Sequence, residues 1–147
     1  MVAIYSDSAG KPQTLHVTYL TSDGKKAHVE STRKILSSIE PGGSVRLFDI
    51  DENDKDLYIA EGIETALSVA KIHGVKCWAV LNTALMEQFK PPAHIKNVII
   101  CADNDINYSG QKAAYTLANR LMIAGTGALV DMPAKMGTDF NDELRAV

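Results

Sequence analysis

At 147 residues, 46% apolar and 22% charged, the chain has the composition of an ordinary soluble globular protein, with length for one cored domain or one domain plus a small appendage. No run approaches the roughly 20 apolar residues of a membrane span, and the opening MVAIYSDSAGK has neither the basic nor the apolar region of a signal peptide. The net charge of −3 is uneven: residues 1–48 carry six Lys/Arg against four Asp/Glu, residues 49–147 nine against fourteen. An acidic C-terminal part argues against a simple electrostatic nucleic-acid binder and leaves room for an enzyme that meets phosphates through bound metal.

In chain order, Val2–Tyr5 reads as a strand and residues 6–12 as a turn. Leu15, Val17 and Tyr19 alternate with His16, Thr18 and Leu20 in a second strand, the turn Ser22-Asp23-Gly24-Lys25 follows, and Ala27–Glu30 reads as a third. The three predict an antiparallel meander with one solvated face. Ser31-Thr32 caps a short helix through Ser38, broken by Pro41-Gly42-Gly43, and Ser44–Phe48 is a further strand. Asp49–Asp56, DIDENDKD, is a polar linker; it lacks the Gly and closing Glu of a calcium loop, where Asp54 and Ala60 stand instead.

From Asp56 strands and helices alternate. Leu57–Ala60, Cys77–Leu81, Val98–Cys101 and Ala128–Met132 are strands. Helices are expected over Ile63–His73, with Ile63, Ala66, Leu67 and Ala70 on its apolar face and Gly74 at its end, over Ala84–Phe89 capped by Thr83, over Gln111–Ala124, and over Phe140–Arg145. This alternation implies a parallel sheet with right-handed crossovers. The domain limits are therefore 1–50 for a small β-rich segment and 56–147 for an α/β domain. Cys77 and Cys101 sit inside apolar strands without a CxxC and read as reduced core thiols of a cytoplasmic protein. His16, His28, His73 and His94 are scattered without metal-ligand spacing, and there is no Walker loop and no nucleophile elbow.

The stretch that organises the chain is Asn97–Asp105, NVIICADND, an apolar strand ending in Asp103-Asn104-Asp105 before Ser109-Gly110 opens a helix. Acids at i and i+2 of an extended segment point the same way and repel, by roughly 4 kcal/mol at about 4 Å and an effective dielectric near 20. A divalent cation at the sheet's C-terminal edge would relieve that repulsion. In an open parallel sheet this edge collects ligands, and three strand ends carry acids there: Glu61, Asp103/Asp105, and Asp139/Asn141/Asp142. Two or three carboxylates with waters and a substrate phosphate suffice for Mg²⁺, and Glu61 beside them would serve as general acid or base. Each also has a plain structural reading: Glu61-Gly62 as a strand-to-helix turn, Asp103-Asn104-Asp105 as loop and cap residues, Asp139 as a helix N-cap.

These residues match a known pattern. Leu57–Leu144 resembles the Toprim domain, the metal-binding α/β module of bacterial primases, type IA and II topoisomerases, OLD-family nucleases and RecR-type repair proteins. The likeness is carried by LYIAEGIETALS, by ICADND with Gly110 following, and by GTDFNDEL. EGIETALS with DFNDEL resembles the variant found in phage and plasmid primases or primase-helicases, and residues 1–48, especially GKPQTLHVTYLTSDGKKA and GGSVRLF, are similar to the segment preceding it there. The resemblance implies a Rossmann-like, mostly parallel four-stranded sheet flanked by helices behind an antiparallel N-terminal segment. It implies Glu61 as general acid/base or metal ligand, Asp103 and Asp105 as ligands of Mg²⁺ or Mn²⁺, Asp139 as a further ligand, and Asp142, Asn141, Gly62 and Gly110 in support.

The function so implied is the Toprim catalytic module of a DNA primase, a fragment or shortened form of a larger primase or primase-helicase. Its partners would be template DNA, nucleoside triphosphates and a helicase or other replication protein, with no membrane. The chain departs from a complete primase in having no Cys/His zinc segment, no helicase P-loop and no basic template-binding subdomain. Lys11, Lys25, Lys26, Arg33, Lys34 and Arg46 read chiefly as a solvated surface. Two alternatives stand beside the primase reading: a Toprim nuclease, and a non-catalytic module that tethers a replication partner.

Overall fold

A computed structural model describes residues 1–146. The N-terminal segment forms β1 (Val2–Ser6), β2 (Pro12–Thr18), β3 (Arg33–Ile35) and β4 (Ser44–Val45). The rest alternates as β5 (Asp56–Ala60), α1 (Ile63–His73), β6 (Cys77–Ala79), α2 (Thr83–Gln88), β7 (Asn97–Cys101), α3 (Ser109–Ile123), β8 (Gly127–Asp131) and α4 (Phe140–Arg145). All eight strands join one sheet in the order β3-β2-β1-β4-β6-β5-β7-β8. The last four run parallel as expected, with Ile59 opposite Ile100 and Ile100 opposite Val130. The first four are antiparallel and reach the parallel part through Val45 opposite Ala79.

The inner parallel strands are apolar throughout because helices cover both of their faces. On one side Leu57, Ile59, Val98 and Ile100 pack with Trp78 under α2 and α3, through Met86, Phe89, Ala114 and Leu117. On the other, Ala60, Cys77, Ala79 and Cys101 pack under α1 and α4, through Ile63, Ala66, Val69 and Phe140. Both cysteines are free and buried, and burial pushes their thiols far up. The register of α1 differs from expectation at one place: Leu67 is exposed, and Val69 is buried in its stead. Gly74 closes that helix in the left-handed conformation, φ 67°.

The N-terminal segment departs further. Ala27–Glu30 is not a strand, and the helix expected over residues 31–38 is absent; β3 occupies its place. The open edge of β2 recruits this segment by pairing His16–Thr18 with Arg33–Ile35. Ser37 N then donates to Thr14 Oγ1 (3.1 Å) and Glu40 N to Gln13 Oε1 (2.9 Å). Such contacts lie 15–27 residues apart in the chain, outside the reach of local propensity. The strand expected over Ser44–Phe48 shortens to two residues, after which Trp78 Nε1 donates to Phe48 O (2.8 Å) and Arg46 lies 4.6 Å over the Trp78 ring.

Candidate metal centre

The acids expected at the sheet's C-terminal edge stand at different removes from the strands. Glu61 follows β5, Asp103 and Asp105 follow β7, and Asp139 and Asp142 begin α4 after the β8 loop. Two loops are clamped to bring them together. Asn104 N donates to Thr138 O (3.0 Å), Gly137 N to Asn104 O (2.6 Å), and Asn104 Nδ2 to Pro133 O (2.8 Å). Gln111 Nε2, from α3, donates to Asn104 Oδ1 (2.7 Å) and Asp105 O (2.9 Å). The middle residue of Asp-Asn-Asp is thus the rivet between the β7 and β8 loops.

The electrostatics report the result. Burial pushes the Asp103 carboxyl up to about 7, helped by the negative charges of Glu61, Asp139, Asp105 and Asp142. Glu61 is raised as well, by burial and then by Asp105, with Arg33 opposing. Four acids from three strand ends therefore share one field with Asp103. Asp103 Oδ1 is buried and has no hydrogen-bond partner, a costly state for a carboxylate oxygen. A proton or a hard cation would satisfy it.

Asp105 is held by its other neighbours. Its Oδ2 accepts from Ser109 Oγ (2.7 Å) and Gly110 N (2.8 Å), so the expected loop-capping role is real. Gly110 is required at this place, since a Cβ there would lie 2.6 Å from Asp103 O and 3.0 Å from Asp105 Oδ2. Gly62 carries no such constraint; a Cβ would meet Thr65 Oγ1 at an ordinary 3.5 Å. Asp139 is the N-cap of α4 in a reciprocal capping box with Asp142, at 2.8 and 3.3 Å. Asn141 faces away to α1, accepting from Ser68 Oγ at 3.4 Å.

Among the described residues, no three His, Cys, Asp or Glu side chains stand together as a ready metal cage. The acceptor-only donor set nonetheless fits a hard dication that keeps several waters and needs only one or two carboxylates. The unpartnered Asp103 oxygen is the point of best fit.

Opposite the acids stand residues that the sequence reading left on a solvated surface. Arg33 of β3 reaches Glu64 (3.2 and 3.3 Å), and Lys26 does so at 3.1 Å. Burial alone would raise Glu64, but its hydrogen bonds and these two cations hold it below the usual range. A cavity of about 460 Å³ opens beside them, walled by Leu20, Lys25, Lys26, Glu64, Asn141 and Arg145. No local signal marks Arg33 or Lys26; the β2–β3 register places Arg33, and the bridge of Lys26 to Leu20 places Lys26.

Residues 56–147 match the Toprim domain family. The chain belongs to it. Its fold is also that of primase catalytic domains. Similar structures include a DNA primase domain from Pseudomonas aeruginosa (TM-score 0.67, 14% identity, covering 98% of this chain and 46% of that one). A DnaG primase catalytic domain bound to ssDNA is similar too (0.69, 13%, 99% and 48%). So is a chain from the structure of bacteriophage T7 lagging-strand DNA polymerase with primase domains of two gp4 subunits (0.55, 17%, 99% and 70%). This Toprim chain spans about half the length of the first two. No match to a curated protein was found. Among the described residues no helix is long and apolar enough to cross a membrane.

Proposed function

We propose that this chain is the metal-dependent catalytic Toprim module of a DNA primase, performing nucleotidyl transfer in primer synthesis in the cytoplasm as part, or a shortened form, of a larger primase. The observation that carries the reading is the Asp103 carboxyl, half-buried, unpartnered at one oxygen and surrounded by the charges of Glu61, Asp139, Asp105 and Asp142. Asp103 and Asp105 are the residues to hold Mg²⁺ or Mn²⁺, with Asp139 nearby. When bound, the cation supplies charge neutralisation for phosphate oxygens.

The protein's own groups do the rest. Ser109 Oγ and Gly110 N fix Asp105 in one orientation. Glu61, raised above the ordinary carboxylate range by burial and then by Asp105, with Arg33 opposing, is the general base for a 3′-hydroxyl in this reading. Lys25, Lys26 and Arg145 around the adjoining cavity suit the phosphates of template DNA or a nucleoside triphosphate. In this reading residues 56–147 carry the chemistry and residues 1–50 form the facing wall.

The test is primer synthesis on single-stranded DNA with labelled nucleoside triphosphates and Mn²⁺ or Mg²⁺. Labelled oligonucleotides that vanish in Asp103→Ala support the proposal. Shortening of the DNA without nucleotides turns the assignment to a nuclease. No metal-dependent product of either kind leaves the tethering role.

A further inference from the structure

Side chains alternate across β1 and β2, so the register Val2↔Val17 and Ile4↔Leu15 gathers these four on one face. Ala3, Tyr5, Thr14, His16 and Thr18 take the other face. The pair Val17↔Lys34 adds Lys34 to the first face, and the Leu36 N to Leu15 O bond adds Leu36. Tyr19 lies with them, its ring 5.7 Å from Lys34 Nζ. The face turned inward is mixed: Tyr5 and Ala3 join the core, and Thr14, His16 and Thr18 are buried beside them. The face turned to solvent is apolar: Val2, Ile4 and Leu36 are 62%, 52% and 61% exposed, and Leu15 and Tyr19 about 40%. These apolar side chains thus stand together on one solvent-facing strip.

We propose that this face docks one amphipathic helix of a partner protein, whose apolar stripe covers Ile4, Leu15 and Val17 and whose acidic flank meets Lys34. The dimensions select a helix. Three strands about 4.8 Å apart make a strip roughly 14 Å wide, matching the 10–12 Å or so of a single helix. A five-residue length gives a footprint of roughly 240 Å², far below the about 800 Å² that each member of a stable pair buries. A second copy is therefore poorly held by this face, and contact with a larger partner is of the transient class. Charge selects the acid. Lys34 forms no ion pair with a carboxylate among the described residues, and covering it with apolar surface alone would strand a buried cation. A carboxylate on the incoming helix satisfies it. None of this depends on the polymerising or nuclease character of the acidic rim.

The experiment titrates the isotope-labelled chain with two designed helical peptides of about 18 residues, long enough to fold. Both carry the same Leu/Ile stripe, one flanked by Glu and one by Lys. The expected result is amide shifts confined to β1–β3, with the Glu peptide bound roughly fivefold more tightly, the scale of one part-exposed ion pair. Leu36→Asp, at a solvent-facing site that folding does not need, should abolish the shifts, and Lys34→Glu should reverse the preference. Circular dichroism confirms that both variants fold. Absent shifts, shifts centred elsewhere, a preference unmoved by Lys34→Glu, or sedimentation showing a dimer that Leu36→Asp dissolves would each overturn the proposal.

Discussion

The parallel strands β5–β8 and the antiparallel strands β1–β3 belong to one hydrogen-bonded sheet but bury themselves in opposite ways. In the first set the inner strands are apolar on both sides and helices cover them. In the second, two threonines and a histidine are buried on the inward face beside Tyr5, while valine, isoleucine and leucine face water. The parallel part is a scaffold whose strand ends fix the acidic rim. The antiparallel part divides its side chains differently: Arg33 pairs with Glu64, and apolar residues are turned to solvent. Stability should therefore be concentrated in one part and insensitive to the outer face of the other.

The contrast can be broken most directly in the core. Leu57→Ala, fully buried between β6, β7 and α3, is expected to cost about 2–5 kcal/mol by urea denaturation. Gly110→Ala should cost about 1–3 kcal/mol by forcing the added Cβ away from Asp103 O, and should weaken metal binding with it. Asp103→Asn acts in the stabilising direction. Its carboxyl, pushed up to about 7 by burial and four neighbouring acids, keeps a proton that the unfolded chain has already lost. That advantage is complete below about pH 4 and lost as pH rises through about 7. Above that the buried charge is at its most costly, so Asp103→Asn should gain roughly 1–2 kcal/mol at pH 8, allowing for solvent that screens a part-exposed group, and almost nothing at pH 4. Thermal melts at the two pH values check this. Asn82→Ala removes the side-chain acceptor of Leu85 N and should cost about 1 kcal/mol. Ile4→Ser on the outer face should stay within about 0.5 kcal/mol; a loss of several kcal/mol would mean that this face is needed for folding.

The same contrast governs what was legible beforehand. Local patterns were enough for α1 and α4, whose limits Ile63–His73 and Phe140–Arg145 match expectation, and for the four parallel strands. They failed at residues 31–38, where a capped helix was expected and a three-residue strand formed, because β2 supplied hydrogen-bond partners that no local window contains. The cap of α2 moved from Thr83 to Asn82. α3 starts at Ser109, as the Ser109-Gly110 opening predicts and ahead of the Gln111–Ala124 stretch, with Asp105 and Asn107 supplying acceptors for its first turn. At the rim, the capping readings of Asp105 and Asp139 are correct geometry, yet both acids also lie in the field of Asp103. A capping carboxylate retains a second oxygen, so the two descriptions do not compete. Asn104 and Gln111, which lock the loops, carried no signal, since amides are ordinary in loops and helices alike.

The central claim is that separated acids meet on one rim and need a hard dication to be charged together. Calorimetric titration of Mn²⁺ into the wild-type chain and into Asp103→Ala/Asp105→Ala, at pH 8 and pH 6, tests it. The account predicts binding at about millimolar or better at pH 8, weaker binding at pH 6 as the proton on Asp103 competes, and none in the folded double variant. Absence of binding at about 10 mM, well above ordinary weak protein sites, or binding that survives both substitutions would contradict it.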